Sequence, residues 1–192
     1  MAVNNSSMRN LLLILLMTLP FTLSGQDTLK SEKMISWDNH FKSIYGKYIG
    51  IKYPDFAVNQ SDKSSFSNNN LDNKVVFINF WFSQCAPCIG EIEGLNKMFN
   101  SLKDRSDFLF VSFTFDSDDL IKTSVEKYNV KYKVIHLDKT EFSRLNFGNP
   151  NPTNIILDKK GIIRYFTVGG TDKIYQNEII MKIYYPKILS LL

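Results

Sequence analysis

Apolar and polar positions alternate along this chain in two distinct rhythms. "KVVFINFWF" (residues 74–82) and "DFLFVSFTF" (residues 107–115) are continuous β-branched and aromatic runs, the pattern of strands buried on both faces. Between them Ile92, Leu95, Met98, Phe99 and Leu102 recur at steps of three and four, which predicts an amphipathic helix. "DSDDLIKTSVEKY" (residues 116–128) opens with acids and an N-cap candidate, as a helix should. "YKVIHL" (residues 132–137) reads as a short strand and "KTEFSRLN" (residues 139–146) as a short helix ending at Gly148. "TNIILD", a "KKG" turn and "IIRYFTV" predict a β-hairpin over residues 153–168. The tail from Asp172 to Leu192 has a helical pattern that Pro186 must kink or restart. Residues 59–73, polar and turn-rich, predict a surface connection. Strand, helix, strand, helix and hairpin together imply an α/β fold, a central mixed β-sheet with helices on both faces.

The first 25 residues differ from all of this. Arg9 is the only charge before Asp27, "LLLILLMTLPFTL" (residues 11–23) follows it, and the run ends at Ser24 and Gly25. A basic start, a short apolar stretch and a small-residue exit predict a secretory signal peptide over residues 1–25. The stretch is shorter than the roughly 20 residues of a spanning helix, and Pro20 and Thr22 interrupt it, which counts against an uncleaved anchor. No cysteine lies nearby to carry a lipid. The chain is thus expected to be exported, to a periplasmic or envelope-associated location. Residues 26–47 read as a partly helical lead-in, and residues 48–192 as one domain.

Composition narrows the functional classes. The formal charge of +4 is mild, and the lysines are interspersed with acids, so nucleic acid is not an expected partner. The chain has only two cysteines, Cys85 and Cys88, so its core must be held by packing and not by a disulfide framework. Both lie in "FINFWFSQCAPCIGEIE" (residues 77–93), where a strand gives way to a helix.

Three roles are open to such a pair. Residues three apart share a helix face, so the sulfurs can meet in a disulfide. Pro87 fits the first helical turn, where the amide it lacks has no partner. The helix N-terminus favours an anion, which makes Cys85 the more acidic thiol and the candidate nucleophile, with Cys88 resolving. Lowering a thiol pKa from about 8.5 to about 7 raises its thiolate fraction at pH 7 from roughly 3% to about half. A structural staple is weakly motivated, because a loop of about four residues yields only roughly 2 kcal/mol against more than 4 for a long one. A zinc site needs two further ligands, and His40 and His136 stand far from the pair in no ligand-spaced motif. The chemistry favoured is redox, with no metal.

The segment "NFWFSQCAPCIGE" resembles the active site of the thioredoxin superfamily, in its exported TlpA-like, redoxin-related thiol–disulfide oxidoreductases. Asn79, Phe80, Trp81, Cys85, Pro87, Cys88 and Glu91 carry the likeness. "GIKYPDF" (residues 50–56) and "NPTNIILDKKGII" (residues 151–163) are similar to the family's entry and Pro-Thr segments, in the right order. The resemblance implies a thioredoxin-like fold and a redox-active Cys85–Cys88 disulfide with no other cofactor. It also implies a cis Asn151–Pro152 bond beside the cysteines, where the Asn151 backbone pairs with a substrate strand. Trp81, Gln84, Pro87, Asn151 and Pro152 are accordingly expected to bind substrate. Protein disulfides, and a membrane electron donor of the thiol-reducing type, are the expected partners of a monomer.

Departures from the family pattern sharpen the expectations. Gln84 stands where relatives commonly carry Trp, and Glu93 where they often carry a helix-kinking Pro. Asn79 aligns with a buried Asp that assists proton transfer in cytosolic thioredoxins. Asn cannot titrate, which leaves Glu91 as candidate proton acceptor; the alternative is an ordinary first-turn acid favoured by the helix dipole. Two rival functions share the fold. A thiol peroxidase would carry Thr where Phe82 stands, three residues before Cys85. A non-enzymatic binding module would keep the disulfide as structure.

Overall fold

The computed structural model describes residues 32–170 and 173–192, with side chains in the last stretch from residue 176 onward. The leader reading, residues 1–25, lies outside the described residues. The chain divides into two compact units, Met1–His40 and Phe41–Leu192. Of the first, residues 32–40 are helical. No helix among the described residues is long and apolar enough to cross a membrane.

The second unit is built on a five-stranded sheet in the order β5-β4-β3-β6-β7. Its strands are β3 (Val75–Phe80), β4 (Phe108–Thr114), β5 (Lys133–His136), β6 (Thr153–Leu157) and β7 (Ile163–Val168). β3, β4 and β5 run parallel, whereas β6 is antiparallel to both β3 and β7. Helices α1 (Ala86–Leu102), α2 (Asp118–Lys127) and α3 (Lys139–Leu145) connect the strands. Every residue of β3 is buried, as its unbroken apolar run requires.

Alternation along the strands sorts the core into two layers. Val76, Ile78 and Phe80 join Val111, Phe113, Ile155 and Phe166 on one face, together with Phe142 and Leu145 of α3. The Phe113 ring sits 5.3 Å from Phe80 and 5.6 Å from Phe56; burying such a ring contributes about 1.5–3 kcal/mol. On the other face Phe77 meets Phe110 at 4.9 Å and Tyr184 at 5.8 Å. This second face carries α1 and the C-terminal segment.

That segment runs through α4 (Lys173–Ile179), a π-helical turn Ile180–Tyr184 and α5 (Tyr185–Leu189). Pro186 stands in the first turn of α5, directly after the π-helical turn, and the backbone stays helical through Tyr184 and Tyr185 before it. One expectation fails. Residues 59–73 are more than a loop: β1 (Ala57–Asn59) and β2 (Ser65–Ser67) form an antiparallel hairpin. Its strands are too short to show alternation, and side-chain hydrogen bonds hold its base, such as Phe56 N–H to Asn68 Oδ1 at 2.6 Å.

Candidate active site

Cys85 is the N-cap of α1, with extended backbone (φ −84°, ψ 95°). Its N–H donates to Phe82 O at 3.1 Å, and its carbonyl accepts from Ile89 N–H at 3.0 Å. Its Sγ accepts the N–H of Cys88 at 3.3 Å, so the sulfur takes the place of a capping oxygen. Cys85 and Cys88 are disulfide-bonded, with Cα atoms 5.2 Å apart. Cys85 is 6% exposed and Cys88 2%, and the side chains of Gln84 and Pro87 beside them are exposed.

Asp116, two residues beyond the end of β4, anchors the turn that leads into Cys85. Its Oδ2 accepts from Ser83 N–H at 2.6 Å, and its own N–H donates to Thr114 Oγ1 at 3.2 Å. The rings of Phe82 and Phe115 lie 5.2 Å apart alongside. Reasoning from sequence missed Asp116, because it read as one more acid before α2.

Behind the disulfide, strand register lines up four polar residues on one face of the sheet. Ser112 pairs with Asn79, Asn79 with Asn154, and Asn154 with Thr167, and all four are buried. Glu91, three residues beyond Cys88 on α1 and fully buried, meets this row from above. Asn79 Nδ2 donates to Glu91 Oε2 at 3.3 Å, and Asn154 Nδ2 to Oε1 at 2.9 Å. Gln176 of α4 also donates its amide to Oε1. Ser112 Oγ–H completes the row by donating to Asn79 Oδ1 at 3.1 Å. Burial pushes the Glu91 carboxyl up to about 8, against the pull of the Gln176, Asn154 and Asn79 amides. A group poised there exchanges its proton near neutral pH.

The Asn151–Pro152 bond is cis, as the resemblance implied. Pro152 O accepts from Gly169 N–H at 2.7 Å. The next residue, Gly170, packs so tightly that a Cβ on it would come 2.8 Å from Pro87 Cβ. The cis turn and the cysteine turn therefore meet through Gly169 and Gly170.

The AhpC/TSA family matches residues 49–166, more than half of the chain. The chain belongs to the AhpC/TSA family. The thiol-disulfide oxidoreductase ResA of Bacillus thuringiensis subsp. konkukian is 28% identical over 174 residues, covering 90% of this chain and 92% of the relative. The thioredoxin-like protein YneN of Bacillus subtilis is 26% identical over 139 residues, covering 71% and 81%. A solved structure of a putative protein disulfide isomerase from Bacteroides thetaiotaomicron superposes with a TM-score of 0.64 at 22% identity, covering 75% of this chain and 89% of that one. These likenesses make the AhpC/TSA chain an oxidoreductase of the thioredoxin superfamily.

Within this AhpC/TSA fold most of the expected site residues converge. Gln84, Cys85, Pro87 and Cys88 share one turn, and Asn151 and Pro152 reach it through the glycine pair. Two expectations change. Trp81 was expected to contact substrate, but it is only 1% exposed, and its Nε1–H has no partner among the described residues. The residue continues β3 into the core, donating its backbone N–H to Phe113 O at 3.1 Å, so its indole is covered. The alternative for Glu91, an ordinary first-turn acid, also fails: the residue lies in the second turn and is completely enclosed. Glu93, by contrast, is exposed and pairs with Lys97 at 2.9 Å, and α1 runs unbroken over 17 residues.

Proposed function

We propose that this chain is an exported thiol–disulfide oxidoreductase that reduces disulfides in protein substrates. The observation that supports this reading is the Cys85–Cys88 disulfide at the start of α1, one helical turn from an enclosed Glu91 whose proton equilibrates near neutral pH. In the dithiol form, the Cys85 thiolate attacks one sulfur of the substrate disulfide and expels the other as a thiolate, leaving a mixed disulfide. Cys88 then gives its thiol proton to the Glu91 carboxylate and attacks Cys85 Sγ. That step releases the second substrate thiolate and restores the Cys85–Cys88 bond. Two electrons pass from the chain to the substrate, and a membrane electron donor of the thiol-reducing type returns them. When the chain's own disulfide is reduced, Glu91 supplies the proton to the departing Cys88 thiolate.

Gln84 and Pro87 form the exposed rim against which the substrate lies, and the Asn151 backbone beside Pro152 pairs with the substrate strand. No Lys, Arg or His stands between Asn79 and Glu93 to make Cys85 strongly acidic, so the pair sits on the reducing side of the thiol scale. The leader over residues 1–25 delivers the chain to an oxidising compartment, where upkeep of the dithiol requires that donor.

Turnover of insulin disulfides with dithiothreitol as electron source tests the reading. The wild-type chain should accelerate insulin reduction and the Cys85→Ser variant should not. Equal activity in both would leave the pair a structural disulfide, and consumption of hydrogen peroxide in preference to insulin would make the chain a peroxidase. Equilibration against glutathione checks the direction: a potential near that of a strong oxidant, roughly −120 mV, would mean that the chain makes disulfides.

A further inference from the structure

The geometry points to Gln176 as a positioning residue for Glu91, supplied by the C-terminal segment to hold the proton-exchanging carboxyl beside the cysteine pair. This rests on the reading of Glu91 as proton acceptor and goes beyond it. Gln176 lies outside residues 49–166, the part of the chain that matches the family, yet its amide reaches Glu91 Oε1 alongside the Asn154 amide. Its side chain is 1% exposed.

Two close approaches put it there. A Cβ on Gly170 would stand 3.0 Å from Gln176 Oε1 as well as 2.8 Å from Pro87 Cβ, so the bare glycine is what lets the amide and the cysteine turn share this space. A Cβ on Gly94 of α1 would stand 2.7 Å from Asn177 Oδ1 and 2.8 Å from Ile180 Cδ1, so a second glycine brings α4 against α1. Both clearances serve one contact, the meeting of Gln176 with Glu91.

The chemistry of the contact suits a proton that comes and goes. A glutamine amide donates through its N–H to a carboxylate and, turned over, accepts through its oxygen from a carboxylic acid. The fixed strand amides of Asn79 and Asn154 donate to the carboxylate and are themselves committed to each other. Among the described residues the titratable groups around Glu91 are few. Cys88, one turn away on α1, is held in the disulfide and does not titrate in the oxidised chain, and the Tyr132 hydroxyl, already resisting ionisation through burial, is held back further by the charge on Glu91. Among the described residues the Glu91 carboxyl receives amides and no cation. The loss of one amide is therefore felt directly in its proton affinity.

NMR titration of the oxidised chain tests this. In the wild type, the Gln176 side-chain amide resonances should move with pH at the same midpoint as the Glu91 carboxyl carbon; a Gln176 amide that stays flat while Glu91 titrates overturns the proposal. In Gln176→Met, which keeps the length and removes the amide, the Glu91 midpoint should rise by about one pH unit, a tenfold gain in proton affinity. An unchanged midpoint in the folded variant overturns it as well, and if that variant does not fold, the wild-type titration decides alone. Thiol exchange of Glu91→Gln separates this inference from the underlying reading. Should its pH profile match the wild type while Gln176 still tracks Glu91, the placement of Gln176 stands and the role of Glu91 in exchange falls.

Discussion

Asn79 on β3 and Asn154 on β6 stand directly opposite each other, and their side-chain amides donate to different oxygens of one carboxyl group, Glu91 Oε2 at 3.3 Å and Oε1 at 2.9 Å. Neutral amides stabilise the carboxylate less than burial penalises it, so the proton is held to about pH 8. At neutral pH most of the population carries the proton, and a minority carries the charge that can take one from Cys88.

That balance predicts a specific change in pH dependence. Glu91→Gln removes the acceptor but leaves the Cys85 thiolate free to form. Exchange should slow about tenfold or more at pH 7 and approach the wild-type rate above pH 9, where hydroxide and abundant thiolate bypass the carboxyl. Stopped-flow reduction of a model disulfide across that range measures it. Parallel profiles for the two proteins would leave Glu91 a structural residue.

The same group links stability to pH. Its pKa is raised in the folded chain, so the native state binds a proton that the unfolded chain releases above about 4.5. This contribution is fully present below about pH 4.5, declines as the pH rises toward about 8, and is flat beyond, a total on the order of 5 kcal/mol. Urea unfolding of the oxidised chain at pH 6 and pH 8 should show the decline, and Glu91→Gln should remove most of it. A wild-type stability that rises over this interval would contradict the burial argument.

Gly94→Ala tests the contact between α1 and α4. Alanine favours a helix over glycine by about 1 kcal/mol, but its Cβ would meet Asn177 Oδ1 at 2.7 Å and Ile180 Cδ1 at 2.8 Å. Overpacking of this kind costs about 1–3 kcal/mol, so the expected net is a loss of up to roughly 2 kcal/mol and a lower urea midpoint. A higher midpoint would mean that the C-terminal segment gives way at little cost.

Asp116→Ala should strip the Ser83 N–H of its partner and loosen the turn ahead of Cys85, lowering stability by about 1–3 kcal/mol. Asp116→Asn retains an oxygen acceptor and should recover most of that loss in the same unfolding measurement. Equal losses in both would shift the role of Asp116 from hydrogen bonding to charge.

Much of this fold was legible in the sequence, for physical reasons. β3 and β4 announce themselves because a strand buried on both faces has no polar side to interrupt it, and α1 because its apolar residues fall on one stripe. The cysteine turn was legible because Pro87 and two sulfurs three apart suit a helix start. The polar row was legible only at Asn79: Ser112, Asn154 and Thr167 each look like a flaw in an apolar run, and only strand register brings them together with it. Trp81 misled because the resemblance set it beside the cysteine turn as a substrate contact, whereas here the strand carries its indole into the core. Gln176 gave no signal, since its partner is 85 residues away.

The central claim is that Cys85 attacks and Cys88 resolves. It is tested most directly by trapping, with the reduced Cys88→Ala and Cys85→Ala variants incubated separately with a disulfide-containing protein and resolved by mass under non-reducing conditions. The account predicts a stable mixed disulfide through Cys85 in the Cys88→Ala chain and none in the Cys85→Ala chain. Trapping through Cys88 alone would contradict it.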